Sequence, residues 1–429
     1  MKRAALILFV ASMAAWAADD AGFVIEHATI HPVTAPDIGD GSVLVKDGKI
    51  AAVGAHVNAH GARRIDGKGL HVYPGMINSA TDLGLSEIAA VRETNDTNEL
   101  GEFDPQLQAL VAVNPASEHI PVTRVNGVTS AITLPATETG PEMIAGQAAL
   151  IHLDGWTWEQ MAVLRDAALE MIFPTLRAPR RPFFAAPGAP TPFREIQRAY
   201  EEKIRRLKDF FEQARRYETA KNGHEAGLER DLRYEAMIPV LEGKTPVLMV
   251  AQREREMKAA LEFAREEKVK VILAGCQELG KLGPEIKAAG ASVILGPTLA
   301  MPLEEDMPYD QAYTLPNEFY QAGILFAFGT FPGEVEHEPR NLPYQASMAA
   351  AFGLPKDEAL RAVTINAAKI WGVADKLGSI ETGKVADLIL TDGDPLETRT
   401  NVKKVFIAGK EVDMTTRQTE LYEIYRKRP

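Results

Sequence analysis

Residues 246–296 read PVLMVAQREREMKAALEFAREEKVKVILAGCQELGKLGPEIKAAGASVILG, and this stretch decides the fold. Its runs 246–251, 269–274 and 291–296 are almost wholly apolar, which is typical of strands buried on both faces of a parallel sheet. Helix-like segments at 253–267 and 278–289 separate them, so a strand begins about every 23 residues. This spacing predicts consecutive βα units.

Further apolar runs continue the same rhythm on both sides of this stretch, at residues 72–77, 128–134, 171–173 and 324–328. Seven or eight βα units favour a closed barrel over an open sheet. The predicted fold class is therefore α/β, with a (β/α)8 TIM-like barrel over residues 74–375.

The two ends of the chain share a different pattern of short β-branched runs broken by turns. Ser42–Lys46 and Lys49–Val53 flank Asp47-Gly48, a dipeptide that favours a tight hairpin because both residue types tolerate positive φ. Neither end is long enough to form a core alone. We therefore predict a small composite β-sandwich built from residues 18–73 plus 376–429.

One insertion, residues 174–235, interrupts the barrel rhythm. Residues 174–193 contain six prolines and predict an irregular loop. Residues 194–221 place their apolar side chains on one helical stripe and predict a helix about 42 Å long. This helix either packs on the flank of the barrel or serves as a lid or partner-binding element.

The first residues have the pattern of an export signal. Lys2 and Arg3 precede an apolar run, and Ala15-Trp16-Ala17 is typical of a cleavage site. We predict a signal peptide over residues 1–17 and export to the periplasm or the extracellular space, with an uncleaved N-terminal helix as the alternative. Cys276 is the single cysteine, so neither an intrachain disulfide nor a lipid anchor is expected.

Composition and charge exclude one class of partner. The chain has 429 residues, 46% of them hydrophobic, which is ordinary for a globular protein. Lys and Arg total 47 against 59 Asp and Glu, giving a net charge of −12. Because nucleic-acid binding needs a basic surface, a nucleic-acid partner is not expected.

Four stretches together resemble one enzyme family: HVYPGMIN at 71–78, GVTS at 127–130, LRAVTINAAKIWG at 360–372 and GSIETGKVADL at 378–388. They are similar to the amidohydrolase superfamily, in its imidazolonepropionase-like exported branch. The resemblance implies metal-dependent hydrolysis of carbon–nitrogen bonds other than peptide bonds. It also implies divalent ions at the C-terminal mouth of the barrel, bound by histidines of strands 1, 5 and 6, by an aspartate of strand 8 and sometimes by a bridging lysine or glutamate.

The matching positions in this chain carry other residues: Ala80 and Asp82 after strand 1, Val250 and Gln252 after strand 5, Gly275 after strand 6, and Phe331 after strand 8. Most of these residues offer no zinc ligand. We predict a degenerate metal site and no cofactor. Zinc or another divalent metal is expected only if this hypothesis is wrong.

Two functions remain open on these residues. The first is a non-catalytic binding or partner subunit, a pseudoenzyme that binds a small amide-like ligand through Asp82, Gln252, Arg253, Glu278 and Phe331. The second is residual or metal-free hydrolysis of a cyclic amide or N-acyl compound, with Asp82, Glu278 and Cys276 as candidate catalytic residues. A homo-oligomer, or a hetero-oligomer with an active amidohydrolase, is compatible with both.

Overall fold

The computed structural model describes residues 22–428 except 89, 136–142, 178–190, 303, 305 and 332–337. The predicted signal peptide lies outside the described residues, as does most of the proline-rich loop. Among the described helices, none combines the length and the apolar character needed to cross a membrane.

The strands in these residues are β1 Phe23–Ile30, β2 Ile38–Lys46, β3 Lys49–Gly54, β4 Arg63–Asp66, β5 His71–Pro74, β6 Met76–Thr81, β7 Val128–Thr133, β8 Ile144–His152, β9 Ala162–Ile172, β10 Val247–Val250, β11 Val271–Ala274, β12 Ser292–Leu295, β13 Phe326–Phe328, β14 Leu388–Thr391, β15 Val402–Ile407 and β16 Lys410–Glu411. The helices are α1 Ala109–Ala112, α2 His119–Arg124, α3 Trp158–Met161, α4 Phe193–Asn222, α5 Leu232–Leu241, α6 Glu254–Glu267, α7 Gly283–Ala288, α8 Gln311–Gln321, α9 Leu342–Ala351, α10 Lys356–Ala362, α11 Ile365–Ile370 and α12 Arg417–Tyr425. Short 3-10 helices span Arg92–Thr94 and Glu338–Asn341.

Strands from both chain ends form one eight-stranded sheet, which we call the terminal sheet. Its order is β16-β15-β14-β5-β1-β2-β3, with β4 paired to β1. The predicted hairpin is confirmed: β2 and β3 pair antiparallel around Asp47 and Gly48, whose φ angles are 50° and 73°. The sheet encloses its own apolar cluster, including Ile25, Val43 and Phe406. The expectation that the two ends share one β-structure is therefore confirmed.

Strands β6–β13 form the second sheet, the barrel sheet, with neighbours in chain order. The sheet curls until its first and last strands meet: the backbone amide of Thr330 donates a hydrogen bond of 3.0 Å to the carbonyl of Ala80. The Asn78 amide nitrogen also donates to Thr330 Oγ1 at 2.9 Å, and both residues are buried. These bonds link the two edges of an almost closed barrel and confirm the predicted α/β barrel fold.

The barrel departs from eight regular βα units in one place. Strand β8 runs antiparallel to both β7 and β9, whereas β6–β7 and β9–β13 pair in parallel. Only residues 153–161 join β8 to β9, too few for the crossover that two parallel strands need. The sequence reading missed β8 and confined the next strand to residues 171–173, so this part of the prediction was wrong.

Helix α4 confirms the predicted long helix and extends it by one residue at each end. Its C-terminal half is anchored, with Leu207, Phe211 and Ala214 fully buried against the outer layer of the barrel. Its N-terminal half is mostly exposed, and Phe193 at its start is 59% exposed. The helix therefore packs on the flank of the barrel through its second half.

Candidate active site

Side chains along the barrel strands alternate between an interior apolar cluster and an outer layer under the helices. On β10, Leu248 and Val250 belong to the interior cluster, whereas Met249 belongs to the outer layer. On β11, Ile272 and Ala274 point inward in the same way. The carboxyl ends of parallel strands meet at one edge of a barrel, where enzymes of this fold place their active sites. We call this edge the mouth.

Ala80 and Phe331 lie together where the first and last barrel strands meet. Ala80 is fully buried, and its carbonyl accepts a hydrogen bond of 2.8 Å from the backbone amide of Phe331. The Phe331 side chain is half-buried and packs against the interior cluster that contains Ala80. This part of the mouth therefore presents a methyl group and a phenyl ring.

Val250, Gln252 and Gly275 lie together at the ends of β10 and β11. A Cβ built on Gly275 would lie 3.7 Å from Val250 Cγ1 and 3.9 Å from Gln252 Cγ, which is ordinary contact distance. The φ of Gly275 is +72°, in the left-handed region that glycine adopts without strain. The fold thus brings these three positions together, but Gly275 has no side chain and Val250 ends in methyl groups.

The residues at the mouth do not fit a zinc site. Zinc in proteins is bound by cysteine sulfur, histidine nitrogen or carboxylate oxygen, in sets of three or four ligands. Of the six positions taken from the resemblance, only Asp82 carries such a group, and Gln252 adds an amide oxygen. Within the described ranges, no three His, Cys, Asp or Glu side chains lie close enough together to hold a metal ion.

Cys276 lies in the outer layer, away from the interior of the barrel. Its side chain is buried, and it lines an apolar crevice together with Leu295 and Met301. Burial raises the pKa of its thiol well above the usual range. Because the thiolate is the reactive form, this geometry does not favour Cys276 as a nucleophile.

A cavity of about 520 Å³ opens at the mouth beside the ends of β9, β10 and β11. We call it the rim cavity, and its lining residues are Pro174, Leu176, Arg177, Tyr200, Arg253, Glu254, Arg255, Glu256, Lys258 and Glu278. Two of the predicted binding residues, Arg253 and Glu278, line it. The other three, Asp82, Gln252 and Phe331, are not among its described lining residues. Asp82 directly follows β6 and is half-buried.

Backbone amides engage all three acidic residues of the rim cavity, two of them at the start of α6, while the third, Glu254, accepts from the amide of Lys281 at 2.9 Å. Glu256 Oε2 accepts hydrogen bonds from the amides of Gln252 and Arg253, at 3.1 and 3.3 Å. Glu278 Oε2 accepts from the amide of Glu254 at 3.0 Å. Carboxylates at this end of a helix are stabilised by its unpaired N–H groups. Glu278 therefore fixes the start of α6, a structural role that sequence reasoning did not assign to it.

The basic residues of the cavity are arranged differently. Arg177, which follows β9, donates to Glu304 Oε1 at 2.6 Å, and Arg253, which follows β10, donates to the same oxygen. Arg253 Nε is buried and has no hydrogen-bond partner among the described residues. The sequence reading named Arg253 but missed Arg177 and Glu304. No local signal could have found them, because the three residues come from separate loops.

A further residue missed by the sequence reading is Glu170 on β9. It is 1% exposed, and it lies between the inward-facing Ala168 and Ile172 in the alternating pattern of the strand. Opposite it in the sheet are Leu248 of β10 and Gly146 of β8. The interior of the barrel thus contains a buried carboxyl group near the mouth. The alternation of β9 would have revealed it had the full strand been predicted.

Comparisons with known proteins agree with this fold. The Amidohydrolase family model matches residues 327–412. The chain is 24% identical over 396 residues to the amidohydrolase tasK of Hapsidospora irregularis, covering 86% of this chain and 39% of that protein. It is 32% identical over 143 residues to the imidazolonepropionase of Thermoplasma volcanium, covering 32% of this chain and 34% of that protein. The chain thus spans well under half the length of each of these relatives.

A solved structure extends the likeness to nearly the whole chain. The crystal structure of an amidohydrolase from Thermotoga maritima superposes with a TM-score of 0.78 and 26% sequence identity, covering 91% of this chain and 99% of the other. On these motifs, this architecture and these matches, the chain belongs to the amidohydrolase superfamily.

Proposed function

We propose that this chain is an exported amidohydrolase-family protein that binds a small amide-containing ligand at the barrel mouth and lacks metal-dependent hydrolase activity. The observation that carries the proposal is the side-chain chemistry at the mouth. Ala80 and Val250 belong to the interior apolar cluster, Phe331 packs against it and Gly275 has no side chain. Such a surface neither binds a divalent ion nor stabilises the oxyanion formed in amide hydrolysis.

The rim cavity supports the binding part of the proposal. Its volume lies in the range of small-molecule sites, and it combines apolar residues with several charged groups. Arg253 lines this cavity, and Gln252, which precedes it, lies beside Gly275 at the mouth; together they supply hydrogen-bond donors and an acceptor suited to an amide. A hetero-oligomer with an active amidohydrolase, or a homo-oligomer, would give such a binding subunit its partner.

Metal content is the first test of this proposal. Protein purified without chelators after growth with added zinc, manganese and nickel is expected to contain far less than one metal ion per chain, measured by plasma mass spectrometry. The Phe331→Asp variant is expected to remain metal-poor and to hydrolyse no cyclic amide or N-acyl amino acid, because three other ligand positions still lack donors. A full equivalent of metal in the wild-type chain, or zinc-dependent turnover by either protein, would contradict the proposal.

The alternative function is metal-free hydrolysis at the same mouth, and the buried Glu170 carboxyl favours it. A carboxyl group inside a barrel can act as a general acid or base once a substrate reaches it. The test is turnover of the same ligand panel with excess chelator present. Activity that persists under chelation and is lost in Glu170→Gln or Asp82→Asn would establish the enzyme and overturn the binding-only proposal.

Export is a separate part of the proposal and rests on the residues preceding Ala18. We expect the mature protein in the periplasm or the medium, beginning near Ala18. Mass spectrometry of the native N-terminus, together with cell fractionation, tests this. An intact Met1–Ala17 segment on protein from the cytoplasm would rule export out.

A further inference from the structure

Two arginines that line the rim cavity share one carboxylate as their acceptor. Arg177 and Arg253 reach the same point from the ends of adjacent strands, and there they share a single carboxylate oxygen, Glu304 Oε1. Two guanidinium groups around one carboxylate is the arrangement by which proteins recognise carboxylate ligands. Glu304 is not among the described residues that line the cavity, whereas both arginines are.

The hydrogen bonds of Arg253 are incomplete in this arrangement. It contacts Glu304 through one terminal nitrogen, while its buried Nε has no partner among the residues that the structure describes. A carboxylate that bound Arg253 side-on would accept from Nε and the terminal nitrogen together, the paired geometry that this side chain favours. A buried donor without an acceptor is unfavourable, so an incoming ligand gains a bond that Glu304 does not make.

Glu304 is also held loosely enough to be displaced. Its side chain is 44% exposed, as is that of Arg177, whereas Arg253 is 23% exposed. An ion pair as exposed as Arg177–Glu304 contributes little to stability because solvent screens it. The acidic residues of the cavity are not comparable competitors, because Glu254, Glu256 and Glu278 are all bonded to backbone amides. The arginine pair is therefore the part of the cavity that can exchange its acceptor.

We propose that Arg177 and Arg253 bind the carboxylate of the ligand, and that Glu304 occupies this position when no ligand is bound. This inference rests on the proposed function. It narrows the ligand class of that function to N-acyl amino acids and related molecules that carry an amide beside a carboxylate. The amide would lie toward Gln252 and the interior of the mouth. The side chain of the ligand would lie in the rim cavity near Tyr200 and Leu176, which also line it.

Calorimetry with matched ligands tests this inference directly. An N-acetyl amino acid is compared with its C-terminal amide, which has the same shape and no carboxylate. Wild-type protein is expected to bind the acid at least about tenfold more tightly than the amide, the value of one strong charged hydrogen bond. Arg253→Gln is expected to remove this difference by weakening binding of the acid only. Glu304→Gln is expected to tighten binding of the acid, because the internal competitor is gone.

Lys208→Gln is the matched control, since Lys208 pairs with Glu266 at 2.6 Å and is not among the described residues that line the cavity. It removes the same charge and is expected to leave the preference for the acid intact. Thermal unfolding followed by circular dichroism checks that each variant folds. Equal binding of acid and amide by the wild type, or weaker binding of the acid by Glu304→Gln, overturns the inference. The inference is also overturned if neither the wild type nor Glu304→Gln binds any N-acetyl amino acid.

The same experiment separates this inference from the proposed function. Binding of uncharged amides without turnover and without a preference for acids would leave the proposed function standing and reject the carboxylate site. Metal-dependent hydrolysis of N-acyl amino acids that is impaired specifically by Arg253→Gln would reject the proposed function and leave the carboxylate site standing.

Discussion

At the scale of single residues, the mouth differs from a metal site through backbone as well as side chains. Gly275 occupies the position where the resemblance places a histidine, and its φ of +72° is one that side-chain-bearing residues adopt at a cost. A side chain restored at this position would therefore carry a backbone cost in addition to having to find a metal ion to bind.

The Gly275→Ala substitution isolates this backbone effect. The space around Gly275 admits a methyl group, so only the positive φ opposes it. We expect the free energy of unfolding in urea to fall by about 1 kcal/mol. Gly54→Ala is the control, because Gly54 lies in β3 with open space around it and no positive φ. Equal stability of the Gly275→Ala variant and the wild type would show that the backbone there adapts freely.

At the scale of secondary-structure elements, the barrel sheet and the terminal sheet are linked by a buried contact between a histidine and an aspartate, which is an ion pair when the histidine is protonated. His152 at the end of β8 places its Nε2 3.0 Å from Asp387 Oδ2, just before β14. Asp387 also accepts a hydrogen bond from Ser130 of β7 at 3.4 Å and one from the amide of Ala408 at 2.8 Å. One carboxylate thus contacts two barrel strands and a turn of the terminal sheet.

This link predicts a pH dependence of stability. Burial disfavours the charged imidazole of His152, but the carboxylates of Asp387 and Asp154 together outweigh it, and the pKa of His152 is raised. A raised pKa in the folded state gives stability that is present below the unfolded pKa of about 6.5 and is lost as pH rises through the folded value. We expect His152→Gln to reduce the free energy of unfolding more at pH 6 than at pH 9.

Urea unfolding at the two pH values measures this difference. The control is His60→Gln, since His60 is exposed, and it should change stability little at either pH. A His152→Gln effect that is the same at both pH values would mean that the ion pair contributes nothing through its charge.

The strands and the long helix could be predicted where a local pattern determined them. The runs around β10, β11 and β12 are apolar on both faces, so the sequence alone predicts that these strands are buried. Strand β8 was missed because Gly146 and Gln147 weaken its pattern and its antiparallel pairing breaks the βα rhythm. That error also hid Glu170 on the neighbouring strand.

The candidate site was predictable only in part. The family resemblance singled out Val250, Gln252 and Gly275, and the fold does bring them together. The pairing of Arg177 and Arg253 through Glu304 depends on how three loops meet in space. Tertiary contacts of this kind have no local sequence signal.

At the scale of the whole molecule, the two sheets share their boundary. Strand β5 of the terminal sheet ends at Pro74, and β6 of the barrel begins at Met76, so only Gly75 separates them. The carbonyl of Asp387 accepts a hydrogen bond of 2.8 Å from the Gly75 amide. Because this junction is only one residue long and is hydrogen-bonded, neither sheet has a surface of its own at this boundary.

This arrangement predicts that the protein unfolds in one cooperative step. Trp371 is buried against the interior cluster of the barrel, so its fluorescence reports on the barrel, whereas far-ultraviolet circular dichroism reports on both sheets. We expect the two signals to change at the same urea concentration. Two separate transitions would show that the terminal sheet unfolds independently.

The pairing of β5 with β14 joins strands from opposite ends of the chain, with Tyr73 opposite Ile389. During synthesis on the ribosome, β1, β2, β3 and β5 emerge long before their last partners exist. One edge of β5 must then stay open until β14–β16 have been translated, and open strand edges attract other chains. Ribosome stalling or premature termination anywhere in the barrel therefore leaves a fragment that is prone to aggregate, and completing the last strands is what closes this edge.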